Sequence, residues 1–260
     1  MPNITEYRKQ YNKWKYIINY NFRLGIVYFW SDFFWYLSNA LSLLVFLYLW
    51  QISNRSDSAQ VISYLIMGNI FITLCSSQVS WEYYQKIFSG KITSDLIVPT
   101  TTIKYFFGIS LGYSSKIIIS TMISLIPVFV LHRENINISG NFWVIGFLPI
   151  GFVIRYFVGS MTGMTSFWIK NSQGVINFYE NITPILAGSL VPLSLLPIPF
   201  LDKTPFAYLF YYPMQVYMNK YNQQETFLTF IWGIIWCLVL FIMTRIVFRF
   251  GLKKNESVGL

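Results

Sequence analysis

The sequence predicts an all-α membrane protein with six transmembrane helices, an N-terminal interfacial amphipathic helix, and a broken, partly re-entrant outer segment before the last span. Two observations lead to this fold class. First, 55% of the 260 residues are apolar and only 11% are charged, whereas an ordinary soluble domain carries about 25% charged residues. Second, the 19 Lys and Arg residues sit mostly at the edges of apolar runs, where membrane proteins keep them. A soluble globular enzyme, a coiled coil and a disordered tail are therefore excluded.

The charge and the few reactive side chains exclude further functions. A net charge of +9 indicates a nucleic-acid partner only where Lys and Arg gather on one folded face, and here they flank apolar runs instead. Cys75 and Cys237 lie inside apolar runs, and His132 is the single histidine, so no metal-binding spacing is available. Hydrolase and phosphotransfer motifs are also missing. We therefore expect no catalytic residue, metal or cofactor in this chain.

Six stretches of the chain are long enough and poor enough in charge to cross a bilayer. A span takes roughly 20 apolar residues, because about 30 Å of hydrocarbon is divided by a helical rise of 1.5 Å per residue. The stretches are 33–51, 59–81, 105–131, 142–169, 175–196 and 226–244. Residues 1–260 are therefore predicted to form a single transmembrane domain.

The distribution of basic residues predicts the orientation of these spans. If both termini lie on one side of the membrane, that side holds 13 basic residues and the opposite side holds 4, while Lys116 and Arg155 lie within spans. Loops that face the cytoplasm carry the excess of Lys and Arg. Both termini are therefore predicted to be cytoplasmic.

Residues 1–31 are predicted to form a cytoplasmic interfacial helix. Tyr7, Tyr11, Trp14 and Ile18 fall on one helical face, and basic residues cover the rest of the surface. A basic amphipathic helix with aromatic side chains on its apolar face lies in the plane of the interface, where it contacts anionic lipid. A disordered basic leader is the alternative.

Prolines interrupt the fifth span and the segment that follows it. They are Pro184, Pro192, Pro197, Pro199, Pro205 and Pro213. A proline inside a helix removes a hydrogen bond, and in hydrocarbon the freed carbonyl must find a partner within the protein. The span is therefore predicted to break within residues 188–200, near the outer leaflet, and residues 197–225 are predicted to form an outer segment that partly returns into the membrane interface. An ordinary outer loop with a tyrosine-rich belt is the alternative.

Residues 82–104, between the second and third spans, form the longest loop on the predicted cytoplasmic side. The loop mixes charged residues with the apolar Ile87, Phe88, Leu96 and Ile97 before it ends near Pro99. A loop that only connects two spans has no need of apolar side chains. A short amphipathic helix that docks onto a soluble partner needs them for its contact surface. We therefore interpret the loop as a docking element.

The Gly90-Lys91 pair in this loop does not belong to a phosphate-binding loop. Gln85 stands where the first glycine of that motif is required, and Ile92 stands where Ser or Thr must bind magnesium. The chain is therefore predicted to be unable to hydrolyse ATP by itself.

Three ionisable residues lie within predicted spans: Lys116, Arg155 and Glu180. A charge at the centre of a bilayer costs at least about 2.5 kcal/mol, so these side chains should face protein or water and form pairs. We predict that Glu180 is paired with Lys116 or Arg155. Such a pair is either a structural ion pair that holds two helices together, which we call a staple, or a site that binds substrate or protons.

Several short sequence phrases, together with this layout, resemble the permeases of ABC-2-type exporters, in particular a bacterial subgroup of about 260 residues with six spans. The phrases are Ser89-Gly-Lys-Ile-Thr-Ser-Asp-Leu-Ile-Val-Pro99, Ser166-Phe-Trp168, Gly188-Ser-Leu-Val-Pro-Leu-Ser-Leu-Leu-Pro197, Pro205-Phe206 and Tyr212-Pro213. The resemblance extends over almost the whole chain.

The resemblance implies a subunit of an ATP-driven exporter in the bacterial cytoplasmic membrane. Two such permeases, identical or siblings, would sit in membrane lipid on a dimer of cytoplasmic ATPases that bind ATP and magnesium. The loop 82–104 would contain the coupling helix. Its implied coupling residues are Ile87, Phe88, Gly90, Leu96, Ile97 and Pro99. The implied cargo is amphiphilic: a lipid, glycan, peptide or drug.

Two other classes of protein remain open at the level of the sequence. A secondary transporter or channel would need no ATPase and would use Lys116, Arg155 and Glu180 as an intramembrane ion pathway. A membrane scaffold would transport nothing. Co-purification with a soluble ATPase distinguishes the first interpretation from both of these.

Overall fold

A computed structural model of the chain describes residues 4–27, 29–53, 58–93, 102–131, 141, 143–189, 193, 198 and 200–256. Within these residues the chain is helical and contains no strand. The helices are α1 (Ile4–Val27), α2 (Phe29–Ser53), α3 (Ser58–Leu74), α4 (Val79–Phe88), α5 (Thr102–Ser124), α6 (Ile126–Leu131), α7 (Trp143–Met164), α8 (Gln173–Ala187), α9 (Tyr211–Tyr217) and α10 (Gln223–Glu256). Short 3-10 turns occur at Thr165–Phe167, Leu201–Lys203 and Pro205–Leu209. The all-α prediction is confirmed.

Four of the predicted spans have counterparts in the described residues. Helices long and apolar enough to cross a membrane cover Ile62–Phe88, Thr102–Val128, Trp143–Phe167 and Gln223–Lys254. They correspond to the second, third, fourth and sixth predicted spans.

The first and fifth predicted spans lie in shorter apolar segments. Within α2 the apolar stretch is Tyr36–Leu49. Helix α8 has 15 residues, which gives a length of about 22 Å at 1.5 Å per residue. The structure therefore supports four spans, and the count of six stays a prediction.

The N-terminal helix packs against α5. Helix α1 ends at Val27, before the predicted limit at residue 31. Trp14 and Ile17 of α1 contact α5 around Gly108, and the Trp14 ring meets Phe107 edge-on at a centroid distance of 6.4 Å. In this stretch the aromatic face therefore contacts protein. The placement of α1 in the membrane interface stays a prediction.

The second span is interrupted near its middle. Helix α3 ends at Leu74 and α4 begins at Val79. Serines of α5 bond to this unwound stretch: Ser114 Oγ donates to the backbone carbonyl of Ser76 at 2.8 Å, and Ser110 Oγ lies 2.6 Å from the Ser77 hydroxyl. Non-helical backbone at membrane depth is tolerated where it is buried in protein or lines a cavity. The expectation of one unbroken span over 59–81 is therefore wrong.

The second span also ends later than predicted. Residues 82–88 were expected to belong to a loop, but they form the last part of α4. Tyr83 stabilises this last part of α4, because its fully buried ring stacks on Phe106 of α5 at a centroid distance of 3.9 Å. The connection between the second and third spans therefore starts after Phe88.

Helices α4 and α7 run parallel and approach closely at Gly163. A Cβ atom at this position would lie 2.4 Å from the backbone oxygen of Ser80, so only glycine allows the two helices to meet here. Helix α10 also runs parallel to α7, with ring contacts between Phe147 and Phe230 near one end and between Phe157 and Phe241 further along. Helix α5 runs in the opposite direction, because its residue Phe106 meets Tyr83 whereas Ser114 meets Ser76.

The described part of the segment 197–225 folds back into the helical bundle. Helix α8 ends at Gly188, whose φ of 81° is left-handed, as the predicted break requires. The Phe210 ring occupies the space that a side chain at position 68 on α3 would need. Tyr217 Oη lies 3.0 Å from Ser63 Oγ of the same helix. The segment thus packs against α3, and the 3-10 turn Pro205–Leu209 packs against α7 and α10.

Candidate functional site

An ion pair joins α7 and α8 in the interior of the bundle. Nη2 of Arg155 donates to Oε2 of Glu180. The side chain of Arg155 is 13% exposed and that of Glu180 is 32% exposed. The predicted pairing of Glu180 is therefore confirmed, and its partner is Arg155. Arg155 lies within the apolar span Trp143–Phe167, where an unpaired charge is costly.

The Tyr179 ring completes the surroundings of this pair. The Arg155 guanidinium carbon lies 5.3 Å from the centre of the ring, in a cation–π arrangement. The remaining Nε–H donor of Arg155 is buried and has no hydrogen-bond partner among the described residues. The pair is therefore stabilised by charge and by an aromatic face, and one donor remains available to a ligand.

Lys116, the third predicted interior charge, lies on α5. Its side chain is buried, and its ammonium group lies 5.0 Å from the centre of the Tyr113 ring. A cation over an aromatic face is attracted by the ring quadrupole. Lys116 therefore has a stabilising contact on its own helix.

A cavity of about 990 Å³ lies beside the Arg155–Glu180 pair. Both members of the pair line it, together with residues of α2, α3, α5 and the interrupted stretch between α3 and α4. The interruption between α3 and α4 was not predicted from the sequence, because residues 75–78 contain neither glycine nor proline. The only available signal was the Ser-Ser-Gln run at 76–78 inside an apolar span.

The predicted coupling residues lie at the other end of α4. Phe88 is 61% exposed and stacks on Tyr84 at a centroid distance of 5.5 Å. Ile87 is 8% exposed and belongs to the hydrophobic core, so its side chain is not available to a partner. Gly90 turns the chain with a φ of 71°, and Ile92 is buried again.

The remaining predicted coupling residues are Leu96, Ile97 and Pro99, which lie outside the described residues. A second segment instead joins Phe88 at the surface. The 3-10 turn Thr165–Phe167 packs against α4, and Tyr84 Oη donates to Asn171 Oδ1 at 3.5 Å. Trp168 and Ile169 of this segment are exposed. We call the exposed side chains of Phe88, Trp168 and Ile169 the Phe88–Trp168 surface.

Sequence alone does not place Trp168 and Ile169 near Phe88, because about eighty residues separate them in the chain. The available signal was an apolar pair placed directly before Lys170, where a span ends. The C-terminal part of α10 reaches the same end of the molecule, since Phe167 packs against α10 at Gly251. Exposed Lys91, Lys170 and Arg249 accompany the aromatic side chains, so the surface is apolar with a basic rim.

The described helices define a polytopic helical membrane protein with an interior ion pair and an aromatic surface at one end. Residues 53–259 match a protein family described as ABC-2 family transporter protein. The match covers most of the chain, so the chain belongs to this family and is a membrane permease of an ABC transporter. Such a permease works with a separate ABC ATPase. Comparisons with curated proteins and with solved structures give no match.

Proposed function

We propose that this permease is the membrane subunit of an ATP-driven exporter and forms the translocation path for an amphiphilic cargo. It functions as a dimer with an identical or sibling permease on two ATPase subunits, which bind ATP and magnesium. It lies in the lipid of the bacterial cytoplasmic membrane with six spans and with both termini in the cytoplasm. The observation that carries this proposal is the Phe88–Trp168 surface with its basic rim.

The chemistry of this surface fits an ATPase contact. Lys91 and Lys170 are exposed beside it, and because ammonium groups are strongly hydrated, this end of the molecule lies at the water boundary. Exposed apolar side chains rimmed by polar ones mark protein–protein contacts. Phe88 at the end of a helix is suited to insert into a groove of a soluble partner. Gly90 then allows the chain to turn away, and Leu96, Ile97 and Pro99 stay predicted coupling residues outside the described part of the chain.

Co-purification tests the proposed partnership. When the chain is extracted from its native membrane in mild detergent, we expect a soluble ATPase to accompany it in a stoichiometric ratio. ATP hydrolysis by the complex should then respond to cargo. A chain that transports in proteoliposomes without any ATPase would contradict the proposal.

Thiol labelling in intact cells tests the proposed orientation. Ser89 and Lys203 are both exposed and lie in segments predicted on opposite sides of the membrane. A membrane-impermeant maleimide should label Lys203→Cys and should leave Ser89→Cys unlabelled until the cells are opened. The unsubstituted chain supplies the background from Cys75 and Cys237. Labelling of Ser89→Cys alone in intact cells would invert the orientation.

A second candidate function is a secondary transporter or channel, and the cavity beside the Arg155–Glu180 pair favours it. An intramembrane pair that lines a cavity can form part of an ion pathway. In this interpretation Lys116 belongs to the same intramembrane ion pathway as Arg155 and Glu180. Transport driven by an ion gradient in the absence of ATP would support it over the exporter.

A further inference from the structure

The cavity beside the Arg155–Glu180 pair has the size of a ligand site. Its volume of about 990 Å³ falls at the upper end of the range of roughly 300–1,000 Å³ for small-molecule pockets. Ser76, Ser77 and Gln78, from the interruption between α3 and α4, form part of its lining. Broken membrane helices form substrate sites because their free backbone and side-chain groups face the cavity.

The polar lining of the cavity is rich in neutral groups that both donate and accept hydrogen bonds. Its carboxamides are Asn39, Asn69, Gln78, Asn177 and Asn181. Serine and threonine hydroxyls add to them. Among the described lining residues the charges are those of Arg155 and Glu180, and these cancel within the ion pair. The described cavity therefore offers many hydrogen bonds and no net charge.

Three buried polar atoms at this cavity have no hydrogen-bond partner among the described residues. They are Thr121 Oγ1, Ser76 Oγ and Arg155 Nε. Thr121 is only 3% exposed, so bulk water does not satisfy its hydroxyl. A buried polar group without a partner destabilises the protein because its desolvation is not compensated. A ligand that bonds to these atoms recovers this free energy, and the cavity is therefore preorganised for a polar guest.

The cavity also reaches an apolar surface. On α8 the lining residues Asn177 and Asn181 are exposed next to the exposed Phe178 and Ile185. Asn181 Nδ2 donates one hydrogen bond to the carbonyl of Asn177 at 2.8 Å, and the second N–H and the oxygen of its carboxamide can still bond to a guest. A guest with a polar head in the cavity and an apolar tail along α8 satisfies both kinds of group.

We propose that this cavity binds the neutral, hydroxyl-rich head group of a membrane amphiphile, such as a lipid that carries a sugar. This inference rests on the proposed transport function and specifies its cargo. A hydroxyl both donates and accepts, so a sugar can partner the Nε–H donor of Arg155 as well as the Thr121 hydroxyl and the carboxamides. An anionic head group would require an unpaired cation, and a cationic one an unpaired acid, but Arg155 and Glu180 neutralise each other.

Lipid titration of the full chain in phosphatidylcholine nanodiscs tests the head-group preference without any ATPase. The probes share the same acyl chains and are monoglucosyl diacylglycerol, phosphatidic acid and a diacyl trimethylammonium lipid, with free glucose as the tail-free probe. Native mass spectrometry should give at least about tenfold tighter binding of the glucosyl lipid than of either charged lipid, the ratio for one lost hydrogen bond of about 1.4 kcal/mol. Free glucose should not bind in the same concentration range.

Equal or tighter binding of a charged lipid would overturn the neutral head group, and equal binding of free glucose would overturn the amphiphile. Because no ATPase is present, these outcomes are independent of whether the permease couples to one. A loss of lipid preference therefore contradicts this inference alone, whereas a failure to co-purify with an ATPase contradicts the proposed function.

The variant Thr121→Val locates the site, because it removes the unpartnered hydroxyl and keeps the shape. We expect a higher Tm for the lipid-free chain and about tenfold weaker binding of the glucosyl lipid. A merely structural threonine does not combine these two changes. If Thr121→Val lowers the yield of folded protein, Ser76→Ala provides the same test on the other unpartnered hydroxyl.

The matched control is Thr244→Val on α10. Thr244 is fully buried like Thr121, but its Oγ1 donates to the carbonyl of Leu240 at 2.7 Å, and it does not line the cavity. This variant should not raise the Tm and should leave the affinity for the glucosyl lipid unchanged. An unchanged affinity in Thr121→Val, or an equal loss in Thr244→Val, would overturn the proposed site.

Discussion

Replacing Phe88 or Trp168 with alanine is expected to release the ATPase from the purified complex or to uncouple ATP hydrolysis from transport. Both side chains are exposed, and they lie at the same end of the molecule. Truncation of a buried aromatic anchor costs about 2 kcal/mol or more of binding free energy, which is roughly thirtyfold in affinity. Both rings are largely exposed and each touches the core at one edge only, so the helices should still fold and insert. Pull-down and cargo-stimulated ATPase activity provide the two readouts.

The matched control for this experiment is Phe200→Ala. Phe200 is 64% exposed, close to the 61% of Phe88, but it precedes the 3-10 turn Leu201–Lys203 in the predicted outer segment. This variant should retain the ATPase. If Phe88→Ala and Trp168→Ala keep the ATPase bound and fully coupled, the coupling contact lies elsewhere, and Leu96→Asp in the undescribed part of the loop is the next variant.

Much of the fold was predictable because composition and single residues dictate it. The low share of charged residues predicts membrane helices, and the run of prolines that begins at Pro184 predicts a break in the fifth span, whose helix ends at Ala187. The cost of an isolated charge in hydrocarbon predicts that Glu180 has a partner. These features depend on local physics, and the structure confirms all three.

The interruption of the second span was not predictable from local sequence. It depends on two serines more than thirty residues away: Ser114 donates to the backbone carbonyl of Ser76, and Ser110 shares a hydrogen bond with the Ser77 hydroxyl. The continuation of α4 to Phe88 likewise depends on the stacking of Tyr83 against another helix. Hydropathy records how apolar a stretch is, but it does not record which neighbours can replace a helical hydrogen bond.

The predicted coupling residues also depend on tertiary contacts that hydropathy does not record. Hydropathy grouped Ile87 with Phe88 as a docking surface, but adjacent residues on a helix point in different directions. Ile87 faces the core and Phe88 faces outward. The segment that joins Phe88 comes from the end of α7, and only the close approach of α4 and α7 at Gly163 brings it there. A functional surface built from two distant segments therefore requires the tertiary structure.

Glu180→Gln is expected to lower the stability of the permease by about 2 kcal/mol, because it leaves the Arg155 charge without its counter-ion. The variant keeps the size of the side chain and one acceptor oxygen, so the loss reports on charge and not on packing. Arg155 lies within an apolar span and is 13% exposed, so water screens it poorly. Thermal unfolding in detergent, monitored by circular dichroism, should show the loss as a lower Tm and a reduced yield of folded protein.

The double variant Arg155→Met/Glu180→Gln separates a staple from a transport site. Removal of both charges leaves no uncompensated ion at this position, so the double variant should be more stable than Glu180→Gln alone. Glu225→Gln is the control, because Glu225 is exposed and its side chain accepts a hydrogen bond from the backbone N–H of Asn222, which a Gln oxygen can also accept, so its Tm should change little. If Glu180→Gln keeps its full stability but abolishes transport, the pair is a transport site and not a staple.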